Sequence, residues 1–256
     1  MRIGYEAINM KVDQKRFLEA KEAVTKQVFE KRGIGTLREK TVHAVMKQYY
    51  GPDPDTQEKQ LGGLIADIFT GSEIIEIQTR SFQAMKKKLP IFLTLYPVTI
   101  VYPLPYRKWV VWMDENTGEM TPKRKSPKLG SIYDAFKELY WIKEFLGDER
   151  LTIKLVFLDI EEYRLLNGWS RDRKRGSKRY DRIPVSIVDE VEFRGSKDYS
   201  QLIPEGLEEP FGTADFARSA KIRQPLAGKV VHILCRLKQI EKAGKKGNSI
   251  LYRKTD

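Results

Sequence analysis

This chain of 256 residues has one cysteine, Cys235, so an internal disulfide framework and any cysteine-based zinc site are excluded. The cysteine lies in a helical apolar pattern, which predicts a buried thiol. Long hydrophobic runs are also missing. The most apolar stretch, residues 89 to 106 ("LPIFLTLYPVTIVYPLPY"), is broken by Pro90, Pro97, Pro103 and Pro105 and does not read as a spanning helix. The first residues, "MRIGYEAINMKVDQKR", lack the apolar centre of a signal peptide. No internal repeat and no low-complexity tract stands out. A cytoplasmic globular protein with no membrane partner is the expectation.

Positive charge is abundant. The net charge is +12 and the isoelectric point about 9.5. It is unevenly placed: residues 213 to 256 carry +8 and residues 171 to 182 carry +5, so the remainder is nearly neutral. A solubility surplus would be diffuse, whereas two patches point to an acidic partner. DNA leads, with RNA as the second candidate.

The pattern of apolar residues predicts the elements. Residues 11 to 32 read as an amphipathic helix with Phe17, Val24 and Val28 on one face and Leu18 beside them. A second helix runs from about Leu37 to Tyr50. Three strands follow, "TQEKQL", "LIADIFT" and "EIIEIQTR", separated by Gly62-Gly63 and Gly71-Ser72, which reads as an antiparallel meander. "SFQAMKKKL" is expected as a helix capped by Ser81, "VTIVYPL" as a strand, "KWVVWMD" as part of a hairpin, "SIYDAFKELYWIKEFL" as a helix and "LTIKLVFLDIEEY" as a strand. The segment "GWSRDRKRGSKRYDRIP" is expected to be a loop. Near its end, the chain reads as helix (213 to 220), helix (225 to 239) and a small hairpin turning at "KKGN".

Two carboxylates sit where a core would prefer apolar groups. Asp67 is flanked by apolar residues in the second strand, and Glu76 by isoleucines in the third. Antiparallel pairing about Gly71-Ser72 brings them nearly opposite each other. Strand alternation puts Gln78 and Arg80 on the face of Glu76. Glu39 comes from the preceding helix, with His43 one turn further on the same side. For Asp67 alone, a satisfied core carboxylate is the competing reading. His43 reads as a packing or supporting residue rather than a ligand, and Glu58 as a reserve ligand. Two facing acids repel, and a divalent cation would relieve that repulsion.

These residues resemble the motif of the PD-(D/E)XK nuclease superfamily, the restriction-endonuclease-like fold. "LREKTVHA", "LIADIF" and "IEIQ" match its helix glutamate, second-strand aspartate and third-strand E-x-Q, closest to the CoiA-like variant, over residues 37 to 102. The resemblance implies an α/β (α+β) fold with a mixed sheet flanked by helices, in a domain of residues 1–198. It implies Glu39, Asp67, Glu76 and Gln78 as the catalytic set, Asp67 and Glu76 as ligands of Mg²⁺ or Mn²⁺, and phosphodiester hydrolysis as the activity. Gln78 stands where lysine is usual and cannot supply positive charge; Arg80 or Lys86 to Lys88 could supply it. A nuclease-fold protein that binds DNA without cutting is the alternative, and a homodimer is possible.

Residues 199–256 resemble a winged helix-turn-helix domain. Its second helix would offer Lys229 and Arg236, and its wing Lys245 and Lys246, to DNA; such domains also bind proteins. The basic segment would add Arg171, Arg173, Lys174, Arg175, Lys178, Arg179 and Arg182. That segment reads equally as a solvated loop or as a phosphate clamp, with Trp169 and Tyr180 available to stack on bases.

Overall fold

In the computed structural model of the protein, residues 12–31, 41–114, 116–166 and 178–255 are described, with backbone alone at 27–31 and 178. Two helices open the chain, α1 (Gln14–Lys31) and α2 (Thr41–Tyr50). The meander is β1 (Gln57–Leu61), β2 (Leu64–Phe69) and β3 (Ile74–Ile77). Gly62 and Gly63 both take positive φ, 57° and 79°, which is the geometry of a two-residue hairpin turn. α3 (Met85–Leu95) follows, entered through a 3-10 turn that Ser81 caps by accepting from the Gln83 N–H. α3 continues through Pro90 to Leu95, well past the expected end at Leu89. Pro90 removes one N–H, but Leu89, Phe92 and Leu93 are buried, each worth roughly 1.5–3 kcal/mol, which outweighs the lost bond.

β4 (Val98–Met113) joins what the sequence divides into a strand and a hairpin arm. It accommodates Pro103 and Pro105 with a register shift between Pro105 and Arg107. β5 (Arg124–Lys125) pairs with β4 across the turn after Asp114. The expected helix over 131 to 146 keeps its apolar face, with Ile132, Ala135, Phe136, Leu139 and Ile142 buried. Its geometry is only one α-helical turn, α4 (Phe136–Leu139), between two 3-10 segments. β6 (Leu151–Leu165) and β7 (Lys178–Arg194) form a long antiparallel pair. The expectation of a loop through Pro184 is therefore corrected: Arg179 and Arg182 lie on β7. β8 (Phe211–Gly212), α5 (Thr213–Ser219), α6 (Gln224–Arg236), β9 (Ile240–Lys246) and β10 (Ser249–Lys254) complete the chain.

The fold is mixed α and β. The main sheet runs β1-β2-β3-β4-β6-β7, with β3, β4 and β6 parallel to one another and the outer pairs antiparallel. Its two faces carry separate cores. One buries Ala66, Ile74, Val98, Ile100 and Leu155 against α3, α4, α5 and α6. The other buries Ile68, Ile75, Ile77, Val101 and Val156 against Phe17 of α1 and Val45 and Met46 of α2. The second sheet, β8-β10-β9, is tied to the first core through Phe211 and Ile240. Cys235 is half-buried rather than enclosed. Among the described residues, no helix is long and apolar enough to cross a membrane.

Candidate functional site

The site begins with an interrupted ladder. β2 and β3 pair at Phe69–Ile74 and Ile68–Ile75, and the next rung would set Asp67 against Glu76. There the backbone bonds give way to side chains. The Ile77 N–H donates to Asp67 Oδ2 at 2.8 Å, and the Asp67 N–H lies 3.4 Å from Glu76 Oε1. The other edge of β2 is irregular at the same level: Glu58 has a φ of 52° and Asp67 is skipped between two regular pairs. Strand parity breaks there too. Ala66 packs toward α3, yet Ile68, two residues on, packs toward α2. The kink lets Asp67 reach α2 while Glu76 faces α3.

Each acid has its own nitrogen partner. His43 Nε2 of α2 is 3.4 Å from Asp67 Oδ2. Lys88 Nζ of α3 donates to both Glu76 oxygens at 2.9 Å, and to the Ile65 carbonyl at 2.7 Å. Glu76 is 1% exposed. Burial, with the nearby Asp67 charge adding to it, pushes its carboxyl up to about 7 despite Lys88. Asp67 goes the other way. Burial works against its charge, but His43, the Ile77 N–H and Lys88 together hold it below the usual carboxylate range.

Gln78 follows β3 directly, and its amide donates to Met85 Sδ at 3.4 Å rather than to either acid. Lys88 is thus the cation at this site, in a position the sequence offered only as one of several candidates. Glu58 is largely exposed and bound to Lys47 at 2.7 Å. Glu39 lies outside the described residues. Among the described residues, no cluster of three or more His, Cys, Asp or Glu side chains is arranged as a metal site. Two carboxylates and nearby backbone carbonyls are hard oxygen donors of the kind Mg²⁺ accepts. Lys88 already sits on one of them.

A second charged cluster lies on the α2 face of the sheet, and sequence reasoning missed its centre. Glu162 of β6 is fully buried. Around it stand Arg164 (2.5 Å), Arg182 (2.9 Å), Lys108 (3.4 Å) and Arg179 (3.7 Å). Burial opposes the charge of Glu162, but these cations win and bring it down to about 2. No local signal announces it, because Glu162 meets Val110 on one side and Arg182 on the other only once β6 and β7 pair.

The remaining predicted basic residues divide. Arg171, Arg173, Lys174, Arg175 and Trp169 lie outside the described residues, as does the Lys178 side chain. Tyr180 is half-buried, and its hydroxyl is buried with no partner among the described residues. Lys229 of α6 lies over the Tyr140 ring at 5.4 Å, with Lys143 on the same ring at 4.5 Å. Arg236, Lys245 and Lys246 are exposed.

Residues 40–194 match the model of the family described as "Domain of unknown function (DUF8091)", and the chain belongs to that family. It is also similar to a protein of Treponema pallidum (strain Nichols), itself described as uncharacterized. The two are 28% identical over 228 residues, 86% of this chain and 87% of the relative. No solved structure matches. The matched family region holds the Asp67–Glu76 pair, Lys88 and the Glu162 cluster.

Proposed function

We propose that the protein is a metal-dependent nuclease of the PD-(D/E)XK type that hydrolyses phosphodiester bonds in DNA. The observation that carries this reading is the broken rung at Asp67 and Glu76 with Lys88 hydrogen-bonded to both Glu76 oxygens. Structural proteins rarely keep two neighbouring carboxylates at a kinked strand pair, because each costs desolvation and repels the other. The element order agrees with the resemblance: helix, antiparallel meander, helix, then a strand parallel to the third. Lys88 supplies from α3 the positive charge that Gln78 lacks.

In this reading Asp67 and Glu76 hold Mg²⁺ or Mn²⁺. When bound, such an ion polarises a phosphoryl oxygen and acidifies a water. The chain's own groups do the rest. Asp67 is kept ionised by His43 and the Ile77 N–H. Lys88, beside Glu76, would donate to a phosphate oxygen and offset charge gained in the transition state. Residues 199–256, read as a winged helix, and the basic residues of β7 engage DNA, with Arg236, Lys245 and Lys246 the exposed candidates. A cytoplasmic location follows from that substrate.

The same Lys88 contact favours a second reading. An ammonium already neutralising Glu76 suits a nuclease-fold protein that binds DNA without cutting it. One assay separates the two. Purified protein is incubated with double-stranded DNA, single-stranded DNA or RNA in Mg²⁺ and in Mn²⁺. Cleavage that is lost in Asp67→Asn and Glu76→Gln, with folding intact, supports the nuclease. Binding with no cleavage in either metal supports the second reading.

A further inference from the structure

The Glu162 cluster is out of balance. Four cations, Lys108, Arg164, Arg179 and Arg182, surround one carboxylate. A salt bridge needs one partner, and the further cations crowd each other at a desolvation cost. Arg179 shows the strain: burial, then Arg182, Arg164 and Arg80, oppose its charge more than Glu162 favours it. Lys108 is held below its ordinary value too, by burial and by Arg164 and Arg182, against the pull of Glu162. An unrelieved positive cluster of this kind has room for one more anion.

A cleft opens beside these groups. Its walls are Val42, Thr79, Pro103, Ile160, Arg179, Asp181 and Arg182. Asp181 is the acid in the wall, and its Oδ2 is already engaged by the Thr41 hydroxyl at 2.5 Å. The guanidinium of Arg182 is anchored through Nε to Glu162, and Arg179 approaches the same oxygen, also through Nε. Among the described residues, that anchoring leaves the outer N–H groups of a planar fork to meet a second oxyanion. The cleft also adjoins the carboxylate site. Thr41 and Val42 touch the cleft region, while His43, the next residue of α2, meets Asp67. Thr79 is three residues beyond Glu76, roughly 10 Å along an extended chain, about the reach of one or two nucleotides.

We propose that this cleft is a phosphoryl-anion site, with Arg179 and Arg182 as its binding groups and Glu162 as the counter-charge that orients them. It rests on the nuclease reading for the source of the phosphate, a polynucleotide strand held across the Asp67–Glu76 site. The site itself is argued from charge and geometry. Glu162 is a positioning residue and touches no ligand.

Calorimetric titration of the whole protein with inorganic phosphate and, separately, with dimethyl phosphate tests the site at constant ionic strength. Saturable binding of either in the wild type, weakened at least about tenfold in Arg179→Gln, is the expected result; preference for the first marks a terminal phosphate and for the second an internal diester. Arg179 is 43% exposed and its nearest approach to Glu162 is 3.7 Å, so its loss leaves the fold in place, as circular dichroism will check. Lys242→Gln, an exposed cation far along the chain on β9, serves as the control and keeps full affinity. No saturable binding, or equal affinity in Arg179→Gln, overturns the proposal. Phosphate binding without DNA cleavage sinks the nuclease reading and leaves the cleft standing. Cleavage without phosphate binding sinks the cleft alone.

Discussion

Glu76 and Glu162 are both buried glutamates, 1% and 0% exposed, on strands of the same sheet. One is pushed up to about 7 and the other down to about 2. Burial acts in the same direction on both, so the neighbours decide. Glu76 has one lysine and a second acid nearby. Glu162 has four cations and, among the described residues, no acid set against it in the same way. The first acid is short of positive charge and the second has too much around it. A site short of positive charge suits a metal ion, and a site with an excess suits a phosphate.

The largest expected effect comes from Glu162. Glu162→Ala strands four cations beside an empty pocket and is expected to cost about 3–5 kcal/mol, read by urea unfolding at pH 7. The wild-type contribution is present above the ordinary glutamate value and is lost as pH falls from about 4.5 toward 2.

Glu76 runs opposite. Its folded pKa lies above its unfolded value, so the folded state holds a proton that the unfolded state has released. Stability therefore falls as pH rises from about 4.5 to about 7. Glu76→Gln removes that slope and stabilises the protein above pH 7, by up to about 3 kcal/mol. Unfolding at pH 5 and pH 8 checks it. A variant less stable than wild type at pH 8 would show that Lys88 outweighs burial.

Lys88→Met takes away the cation hydrogen-bonded to Glu76 and is expected to move its titration further up, read in the same pH series. The smallest effect belongs to His43→Ala. It lets Asp67 rise toward its ordinary value and costs under about 1 kcal/mol near neutral pH, since His43 is partly exposed.

Much of this was legible in the sequence because local chemistry carried it. Gly62-Gly63 demanded positive φ, and isoleucines alternating with Glu76 defined a two-sided strand, so the Asp67–Glu76 encounter followed from the register. Long-range packing was not legible. α3 passes Pro90 because Phe92 and Leu93 find a core that no local pattern announces. The stretch from Lys178 to Pro184 looked too charged for a strand, because the sequence does not show that Glu162 lies opposite Arg182. In the sequence Lys88 is one lysine among three, and only the packing of α3 over Glu76 singles it out. The same blindness hid the Glu162 cluster, whose members come from three strands.

In the proposed nuclease, Glu76 is a carboxylate that takes a cation stronger than Lys88. Carboxyl ¹³C titration of Glu76, assigned with Glu76→Gln, tests it directly with and without Mg²⁺. A midpoint near 7 is expected without the metal and a clear downward shift with it, absent in Asp67→Asn. A midpoint that ignores Mg²⁺, in a protein whose Asp67→Asn variant titrates identically, would contradict it.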